Sequence, residues 1–514
     1  MHDANHLARA LCAAGRPDDP LIHLGDAVQT RGEFWEAAAR MAAALAEAGA
    51  APGDRVAVQV EKSLEALHLA MGLVLAGAAL LPLNTAYTPA EIGYFLDDAE
   101  PAVFVCDPSR EAALAPVAAQ AGVGRVLTLG ANGSGSLAEM VAALAPLAEA
   151  VPRGPDDLAA ILYTSGTTGR SKGAMLTHRN IASNGATLVG TWGMGPSDVL
   201  IHALPIFHTH GLFVATNTAL ISGARMLLHA KFDPDAILAD MTREGPARAT
   251  MMMGVPTFYT RLLDHPGLTR EATSGMRLFI SGSAPLLAET HARWRDRTGH
   301  AILERYGMTE TGMLTSNPLD GDRRAGTVGL PLRDVEVIVA DPATGAPLPR
   351  GETGMIEVRG PNVFKGYWRM PEKTAAELRP SGFFITGDLG RIEPDGYVSI
   401  VGRAKDLIIS GGYNVYPKEV ETLIDALPGV VESAVIGLPH PDFGEGVAAV
   451  VVPAPGAALT AEGVVAAVAP QLARYKQPRA VFFADALPRN AMGKVQKAEL
   501  ARRHATAFAP VAQS

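Results

Sequence analysis

A loop rich in glycine and hydroxyl side chains constrains this chain more than any other feature. Residues 162–173 read Leu-Tyr-Thr-Ser-Gly-Thr-Thr-Gly-Arg-Ser-Lys-Gly, after an apolar strand and before a helical stretch that contains His178. Glycines let backbone N–H groups approach a phosphate, the hydroxyls add donors, and Lys172 adds a positive charge. The loop therefore predicts a polyphosphate-binding site.

Other interpretations of the loop stay open from its residues alone. It is not a Walker A loop, because Ser171 replaces the second glycine and Gly173 follows Lys172. Residues 169–173 also satisfy G-x-S-x-G, the nucleophile elbow of hydrolases, which would make Ser171 the nucleophile of an esterase. That elbow needs a strand immediately before it, whereas more Gly/Thr loop intervenes here. A flexible surface turn is the third possibility.

Helical and strand patterns alternate through the first half of the chain. Residues 31–48 have helical periodicity, and residues 56–60 and 103–106 read as short apolar strands, so we expect α/β layers. The apolar run at residues 69–83 is shorter than the roughly 20 residues that a membrane-spanning helix needs. We expect it to be a buried helix that leads into a strand.

The pattern changes toward the C-terminus. Short alternating strands at residues 335–360 and 396–400 predict a β-rich third subdomain. A compact unit of helices and strands follows, and we place the main boundary near Lys405, which gives domains at 1–404 and 405–514.

Composition excludes several classes of protein. The 514 residues carry a formal charge of −9, so bulk electrostatics favours neither a nucleic-acid groove nor an anionic membrane surface. The two cysteines, Cys12 and Cys106, form no CxxC pair. They indicate a reducing compartment, and we expect a cytoplasmic protein without a signal peptide.

Further motifs accompany the loop: YGMTE at residues 306–310, TGD at 386–388, GRAKD at 402–406 with Gly411 and Gly412, and PRNAMGK at 488–494. Their identity and order resemble the adenylate-forming superfamily of acyl-CoA synthetases, luciferases and nonribosomal peptide adenylation domains, from about residue 25 to residue 500. The resemblance implies a large N-terminal domain of layered α/β sheets with a β-rich subdomain, and a small mobile α+β C-terminal domain. It also implies ATP, Mg²⁺ and coenzyme A.

The resemblance assigns a role in ATP binding to residues along the chain. It implies that Glu310 and Thr168 hold Mg²⁺, that Thr309 reaches the α-phosphate, and that Asp388 accepts the ribose hydroxyls. By themselves, Glu310 could be a solvated helix charge and residues 386–388 an ordinary turn. The implied ATP-binding set is Thr164, Ser165, Gly166, Thr167, Thr168, Gly169, Lys172, Ser283, Ala284, Pro285, Glu304, Arg305, Tyr306, Gly307, Met308, Asp388 and Arg403.

Lys494 is the implied catalytic lysine. In the superfamily this lysine contacts the attacking carboxylate and the α-phosphate during adenylation, with Glu310 and Thr309 as the other catalytic residues. Because that role needs a positive charge, we expect acetylation by a regulatory acetyltransferase, reversed by a deacetylase, to stop adenylation. Without this context, Lys494 would read as a solvated side chain.

The C-terminal domain is expected to rotate between the two half-reactions, with Lys405 at the hinge. The rotation would remove Lys494 and bring in the loop that the resemblance assigns to CoA. That set is Ser410, Gly411, Gly412 and Lys476, with Arg474 and Arg479 as further candidates.

The acid is indicated by the segment FHTHGLF at residues 207–213, which resembles the malonyl-CoA and methylmalonyl-CoA synthetase branch. A dicarboxylate needs a cation for its distal carboxylate, and Arg261, in the second turn of a predicted helix, is our candidate. From the sequence alone, a surface charge is the simpler interpretation of Arg261, and the resemblance favours the pocket. No acidic residue or third histidine follows His208 and His210 closely, so we do not expect a zinc site there. The expected acyl-binding set is His208, His210, Arg261, Ser283 and Met308. A ligase for short or medium-chain monocarboxylates and an enzyme that loads a carrier protein remain alternatives.

Overall fold

The structure is a computed structural model that describes residues 4–164, 171–490 and 493–508. Within these ranges the strands form four sheets, and none of the helices is long and apolar enough to cross a membrane. A layered α/β architecture is confirmed.

The first part of the chain alternates helices and strands, as expected. Its helices are α1 (His6–Cys12), α2 (Arg31–Glu47), α3 (Leu64–Ala76), α4 (Pro89–Ala99), α5 (Glu111–Gln120) and α6 (Ser136–Ala143). Its strands are β1 (Pro20–Leu24), β2 (Ala27–Thr30), β3 (Arg55–Gln59), β4 (Ala79–Pro82), β5 (Val103–Cys106) and β6 (Arg125–Thr128). The long apolar run is the buried helix α3 followed by β4, as predicted.

The second part contains most of the strands around the candidate site. Its strands are β7 (Leu158–Thr164), β8 (Lys172–Thr177), β9 (Val199–His202), β10 (Arg225–Leu228), β11 (Met251–Gly254), β12 (Leu278–Ser281), β13 (Leu303–Met308) and β14 (Gly312–Ser316). Its helices are α7 (His178–Trp192), a π-helix (His210–Thr216), α8 (Asn217–Ser222), α9 (Pro234–Thr242), α10 (Pro256–Leu263) and α11 (Ala288–Thr298).

The remaining elements are mostly strands. They are β15 (Leu330–Pro331), β16 (Glu336–Ala340), β17 (Gly354–Arg359), α12 (Pro371–Glu377), β18 (Phe384–Ile392), β19 (Val398–Arg403), β20 (Ile408–Ser410), β21 (Tyr413–Val415), α13 (Pro417–Asp425), β22 (Val430–His440), β23 (Gly444–Pro453), α14 (Ala461–Val468), β24 (Ala480–Phe483) and α15 (Lys497–Arg503). Short 3-10 turns lie at Pro108–Arg110, Ala404–Asp406, Ala469–Gln471 and Arg474–Lys476.

Two large sheets build the layered part. The nine-stranded sheet has the order β15-β14-β13-β12-β11-β9-β10-β1-β2, and the six-stranded sheet has the order β6-β5-β3-β4-β7-β8. Strands β9 to β13 are mutually parallel where they pair, and buried apolar side chains such as Leu200, Met251 and Ile280 fill them. Sheets of this kind are covered on both faces, which explains their continuous apolar sequences.

Two smaller sheets follow. The antiparallel order β16-β17-β18-β19 confirms the β-rich subdomain. The last sheet, β21-β20-β23-β22 with β24 beside β23, contains only residues after 407. The boundary near Lys405 remains a prediction.

The sequence analysis did not predict strand β8, which lies between the glycine-rich loop and α7. This strand pairs antiparallel with β7. Thr177 then caps α7, because its Oγ1 accepts from the N–H of Asn180 while the Asn180 side chain accepts from the N–H of Thr177. Ser171 therefore precedes a strand and not a helix, so the strand–turn–helix geometry of a hydrolase elbow is not present there.

Candidate active site

The candidate site lies where parallel strands of the nine-stranded sheet end. The segment with His208 and His210 follows β9, Ser283 follows β12, and Glu310 follows β13. Because the carboxyl ends of parallel strands meet at one edge of a sheet, these side chains come together although they are far apart in sequence.

The nucleoside end of the site is centred on the carboxylate of Asp388. The Tyr306 hydroxyl donates to Oδ2 of Asp388 at 2.5 Å, and Nε of Arg403 lies 2.7 Å from Oδ1. Asp388 and Arg403 are directly opposite each other on β18 and β19. Burial raises the pKa of Asp388, and the Arg403 cation opposes that shift.

Glu310 lies in the tight turn between β13 and β14 and not on a helix. It is only 5% exposed, and its Oε1 accepts from Oγ1 of Thr164 at 3.4 Å and from the hydroxyl of Tyr367 at 3.1 Å. Burial raises the pKa of this carboxyl group. A buried carboxylate of this kind suits Mg²⁺, which prefers hard oxygen ligands.

The backbone of this turn needs its glycine. A Cβ on Gly307 would lie 2.1 Å from the carbonyl oxygen of Gly312. Met308, the last residue of β13, and Thr309, which follows it in the turn, are half-buried. The expected residues Ser165, Gly166, Thr167, Thr168 and Gly169 lie outside the described residues.

Lys172 is held by two residues to which the sequence analysis gave no role. Its Nζ lies 3.2 and 3.3 Å from the two carboxylate oxygens of Glu377, and 4.2 Å from the centre of the Tyr367 ring. The Tyr367 hydroxyl donates to Glu377 at 2.6 Å, and Lys373 pairs with the same carboxylate. The only sequence signal for this arrangement is the string KGYW before α12.

Lys494 reaches the same cleft from the C-terminal part of the chain. Its backbone N–H donates to Oδ1 of Asn490 at 3.0 Å, and a Cβ on Gly493 would lie 3.6 Å from Thr257. Its side chain keeps solvent contact, yet the protein around the cleft partly desolvates it. This desolvation and the charge of Arg403 lower the pKa of Lys494, whereas Asp388 and Glu310 act in the opposite direction.

The pocket expected for the acid is lined by two histidines, of which His210 is buried and His208 is half-buried. Nδ1 of His210 lies 3.1 Å from Oγ of Ser283, and Nε2 of His210 has no partner among the described residues although it is buried. Burial lowers the pKa of His208 to about 3, with Lys494 and Arg305 acting in the same direction. Both rings are therefore neutral near pH 7.

Ser283 begins the segment that continues with Ala284 and Pro285. It has a left-handed backbone, with φ of 71°, which is unusual for a residue with a side chain. Such strain persists only where the surrounding structure enforces it.

Arg305 is the buried cation of this pocket. It is 3% exposed, and its Nε and Nη2 have no hydrogen-bond partner in the part of the chain that the structure describes. Its guanidinium stacks over Gly282, where a Cβ would lie 2.4 Å from Cζ. Burial lowers the pKa of Arg305 to about 10, so it remains cationic.

Glu304 precedes Arg305 on β13. Its Oε1 accepts from the N–H of Leu286 at 3.2 Å, and its Oε2 has no partner among the described residues. Burial raises the pKa of Glu304 to about 8. The carboxyl is therefore largely protonated at neutral pH and does not compensate the Arg305 charge.

Arg261 differs from the expectation. It lies on α10, in the second turn after a buried strand as predicted, but its side chain is exposed and its Cζ lies 5.0 Å from the centre of the Phe232 ring. Of the two arginines, Arg305 is buried and Arg261 is exposed in this structure, and the role of Arg261 toward a distal carboxylate stays a prediction.

The residues expected to bind CoA lie in and around the last sheet. Gly411 and Gly412 form the turn between β20 and β21 with φ of 59° and 84°, and Ser410 is buried before it. Lys476 pairs with Glu419 at 2.7 Å. The expected hinge residue, Lys405, is exposed in a 3-10 turn.

The family model "AMP-binding enzyme" matches residues 10–368, and the model "AMP-binding enzyme C-terminal domain" matches residues 419–494.

Relatives of known name cover nearly the whole chain. Feruloyl-CoA synthase from Amycolatopsis sp is 38% identical, covering 95% of this chain and 96% of its own length. Malonate–CoA ligase from Arabidopsis thaliana is 33% identical, covering 88% of this chain and 78% of its own. The crystal structure of ATP-bound MatB from Rhodopseudomonas palustris superposes on this chain with a TM-score of 0.95. The two sequences are 58% identical, and the match covers 98% of this chain and 99% of that one.

Proposed function

We infer that this chain, which belongs to the AMP-binding enzyme family and is an AMP-forming acid–thiol ligase, takes malonate as its acid. The proposed reaction converts malonate, ATP and CoA into malonyl-CoA, AMP and pyrophosphate through a malonyl adenylate. Methylmalonate, which differs by one methyl group, is a second candidate acid. A cytoplasmic location, expected from cysteine usage, belongs to the same proposal.

The observation that carries malonate is the buried guanidinium of Arg305, whose Nε and Nη2 have no hydrogen-bond partner among the described residues. A buried cation without a counterion is costly, so the free site requires an anion there. Arg305 lowers the pKa of His208, His210 and Lys494, so its charge lies near the groups to which this proposal assigns the acid and its adenylation. A monocarboxylate has no second anion to offer, because its only carboxylate attacks the α-phosphorus. A malonate ligand would supply the missing charge.

The chain's own residues divide the remaining work in this proposal. Asp388 and Tyr306 orient the ribose, and Lys172 meets the polyphosphate. Glu310 with Thr168 would hold Mg²⁺, which neutralises phosphate charge when bound. Lys494 neutralises the charge that develops as the acid carboxylate attacks, an electrostatic contribution that a water-excluding cleft strengthens. Lys405, Ser410, Gly411, Gly412 and Lys476 keep their proposed roles in the second half-reaction.

Pyrophosphate release tests this function. Release from MgATP with CoA is compared for malonate, methylmalonate, acetate, butyrate, octanoate and ferulate, with Lys494→Ala as the inactive control. We expect the highest kcat/KM with malonate. A preference for a monocarboxylate or ferulate would overturn malonate and leave the ligase class intact. Adenylation without CoA thioester formation would favour the alternative in which a carrier protein is loaded.

Two arginine variants then test the pocket. Arg305→Gln should lower kcat/KM for malonate by about 100-fold or more, because a buried charge pair is lost, and should affect acetate much less. Arg261→Ala is the matched control, and it should change kcat/KM for malonate and for acetate only slightly and to the same extent. The opposite pattern would assign the distal carboxylate to Arg261.

Acetylation of Lys494 is part of the proposal, since its side chain is accessible and its role needs a positive charge. An enzyme that carries acetyl-lysine at residue 494 should lose pyrophosphate release with malonate. It should still convert added malonyl adenylate and CoA into the thioester. An unchanged adenylation rate in the acetylated enzyme would refute this regulation.

A further inference from the structure

Lys62 is a buried lysine that the reaction described above does not use. It is 8% exposed and follows β3 in the six-stranded sheet. Its Nζ donates to Nδ1 of His202 at 3.0 Å and to the carbonyl oxygen of His202 at 2.8 Å. Burial lowers its pKa, and no carboxylate in the part of the chain that the structure describes forms an ion pair with it. Both of these partners belong to one residue at the end of β9.

His202 connects Lys62 to Gly211, which lies next to His210 of the proposed acid pocket. Its Nε2 lies 3.0 Å from the carbonyl oxygen of Gly211. Because a carbonyl can only accept, Nε2 carries the ring hydrogen and Nδ1 keeps the lone pair that accepts from Lys62. Oγ1 of Thr216 donates to the same Gly211 carbonyl at 3.0 Å. His202 and Thr216 therefore both hold the Gly211 carbonyl, and Lys62 holds His202.

That peptide group sits at the start of the π-helix His210–Thr216. The backbone passes close to Pro205 here, since a Cβ on Gly211 would lie 2.1 Å from the carbonyl oxygen of Pro205. Its neighbour in sequence is His210, whose ring contacts Ser283 and presents an unpartnered Nε2. Single π-helical turns of this kind are frequent at functional sites because they redirect side chains. A small rotation at Gly211 would move the His210 ring.

We propose that Lys62 is a positioning residue for acid specificity: through His202 it fixes the Gly211 carbonyl and thereby the place of the His210 ring in the acid pocket. The inference rests on the proposed function, because it requires His210 to contact the acid. A lysine suits the task, since its three donors satisfy two acceptors of His202 at once from a flexible stem. Lys62 touches neither substrate; it acts through His202.

The test separates positioning from simple core stability. In Lys62→Met, which keeps the length of the stem and removes the donors, KM for the preferred acid should rise about 10-fold, a typical loss when a supporting contact is removed. KM for ATP should stay within about twofold of the wild-type value. Lys62→Arg, which restores the donors, should recover most of the loss. Equal changes in both KM values, or a lower Tm with unchanged KM values, would overturn the proposal.

Two further variants guard against a failure to fold. Thr216→Val removes the second donor to the Gly211 carbonyl and should raise KM for the acid in the same direction. Combined with Lys62→Met it should lose less than the sum of the single effects, because both variants loosen one peptide group. Fully additive losses would refute the shared path.

A matched control is a buried histidine away from the site. His68 on α3 is 7% exposed and bonds to Oε1 of Gln29 at 3.0 Å. His68→Asn should change Tm without changing the ratio of the two KM values, and a change in that ratio would count against the proposal. The acid preference of the wild-type enzyme tests the proposed function separately. If the wild type prefers another acid, the malonate assignment is refuted, and the Lys62 variants are then compared on the preferred acid.

Discussion

Tyr306 on β13 and Asp388 on β18 join the nine-stranded sheet to the β-rich sheet through one hydrogen bond, from the Tyr306 hydroxyl to Oδ2 of Asp388 at 2.5 Å. Arg403 binds the other carboxylate oxygen at 2.7 Å. The carboxylate expected to receive the ribose is therefore oriented from two sheets, and each oxygen retains a lone pair for a sugar hydroxyl.

Removing this hydrogen bond should weaken ATP binding and leave the acid pocket intact. In Tyr306→Phe we expect KM for ATP to rise about 10-fold, since a hydrogen bond to a charged acceptor contributes roughly 1.5 kcal/mol or more. KM for malonate should change little. Steady-state kinetics with each substrate varied in turn measures both values. An equal rise in the two KM values would mean that Tyr306 supports the whole cleft.

Much of the fold and part of the site could be predicted from the sequence. The apolar runs that became α3 and β5 have strong local patterns, and the motifs with Glu310, Asp388 and Lys494 led to residues that share one cleft. Strand β8 was missed because the Gly/Thr residues before it mask its pattern. The loop between β7 and β8 lies partly outside the described residues, so its phosphate contacts stay a prediction.

The arginine proposed for the acid pocket shows why the remaining site residues could not be predicted from the sequence. Arg261 lies on the helix that follows β11, and Arg305 lies within β13. The sequence neighbours of the two arginines do not reveal which one is buried. Burial depends on Gly282, which is 23 residues before Arg305 and makes room for its guanidinium. Likewise, Lys62 and His202 are 140 residues apart and carry no local pattern. Contacts of this range depend on tertiary packing.

The contact between Glu377 and Lys172 should restrain the polyphosphate site. In Glu377→Gln the carboxylate no longer competes with phosphate for the Lys172 ammonium, so we expect KM for ATP to fall about threefold at low salt. The difference should shrink at high salt, because partly exposed charges are screened. Glu357→Gln is the control, since Glu357 pairs with Arg379 elsewhere in the β-rich sheet. A higher KM in Glu377→Gln would mean that the carboxylate positions Lys172 for ATP.

The pH dependence of adenylation should report on Lys494. Only the protonated lysine carries the charge, so the rate should fall as pH rises through its pKa. Desolvation and Arg403 lower that pKa below the ordinary lysine value of 10.5, which places the alkaline limb at lower pH. Asp388 raises the pKa, so Asp388→Asn at saturating ATP should move the limb further down. The measurement is the rate of pyrophosphate release across pH. An unchanged limb in Asp388→Asn would exclude Lys494 as its cause.

The buried carboxyl of Glu304 should make the stability of the protein depend on pH. Its pKa is raised from 4.5 to about 8, so between these values the folded state holds a proton that the unfolded state has released. The free energy of unfolding therefore contains a contribution that is present below about pH 4.5 and is lost as pH rises toward 8.

Glu304→Gln removes this titration, and its amide oxygen still accepts from the N–H of Leu286. The difference in Tm between Glu304→Gln and wild type should therefore be more positive at pH 9 than at pH 5, by roughly 2 °C or more. Glu357→Gln, which breaks a buried ion pair, should lower Tm at both pH values. Thermal unfolding at the two pH values decides the matter: a Glu304→Gln offset that is the same at both would show that the wild-type carboxyl does not titrate in this window.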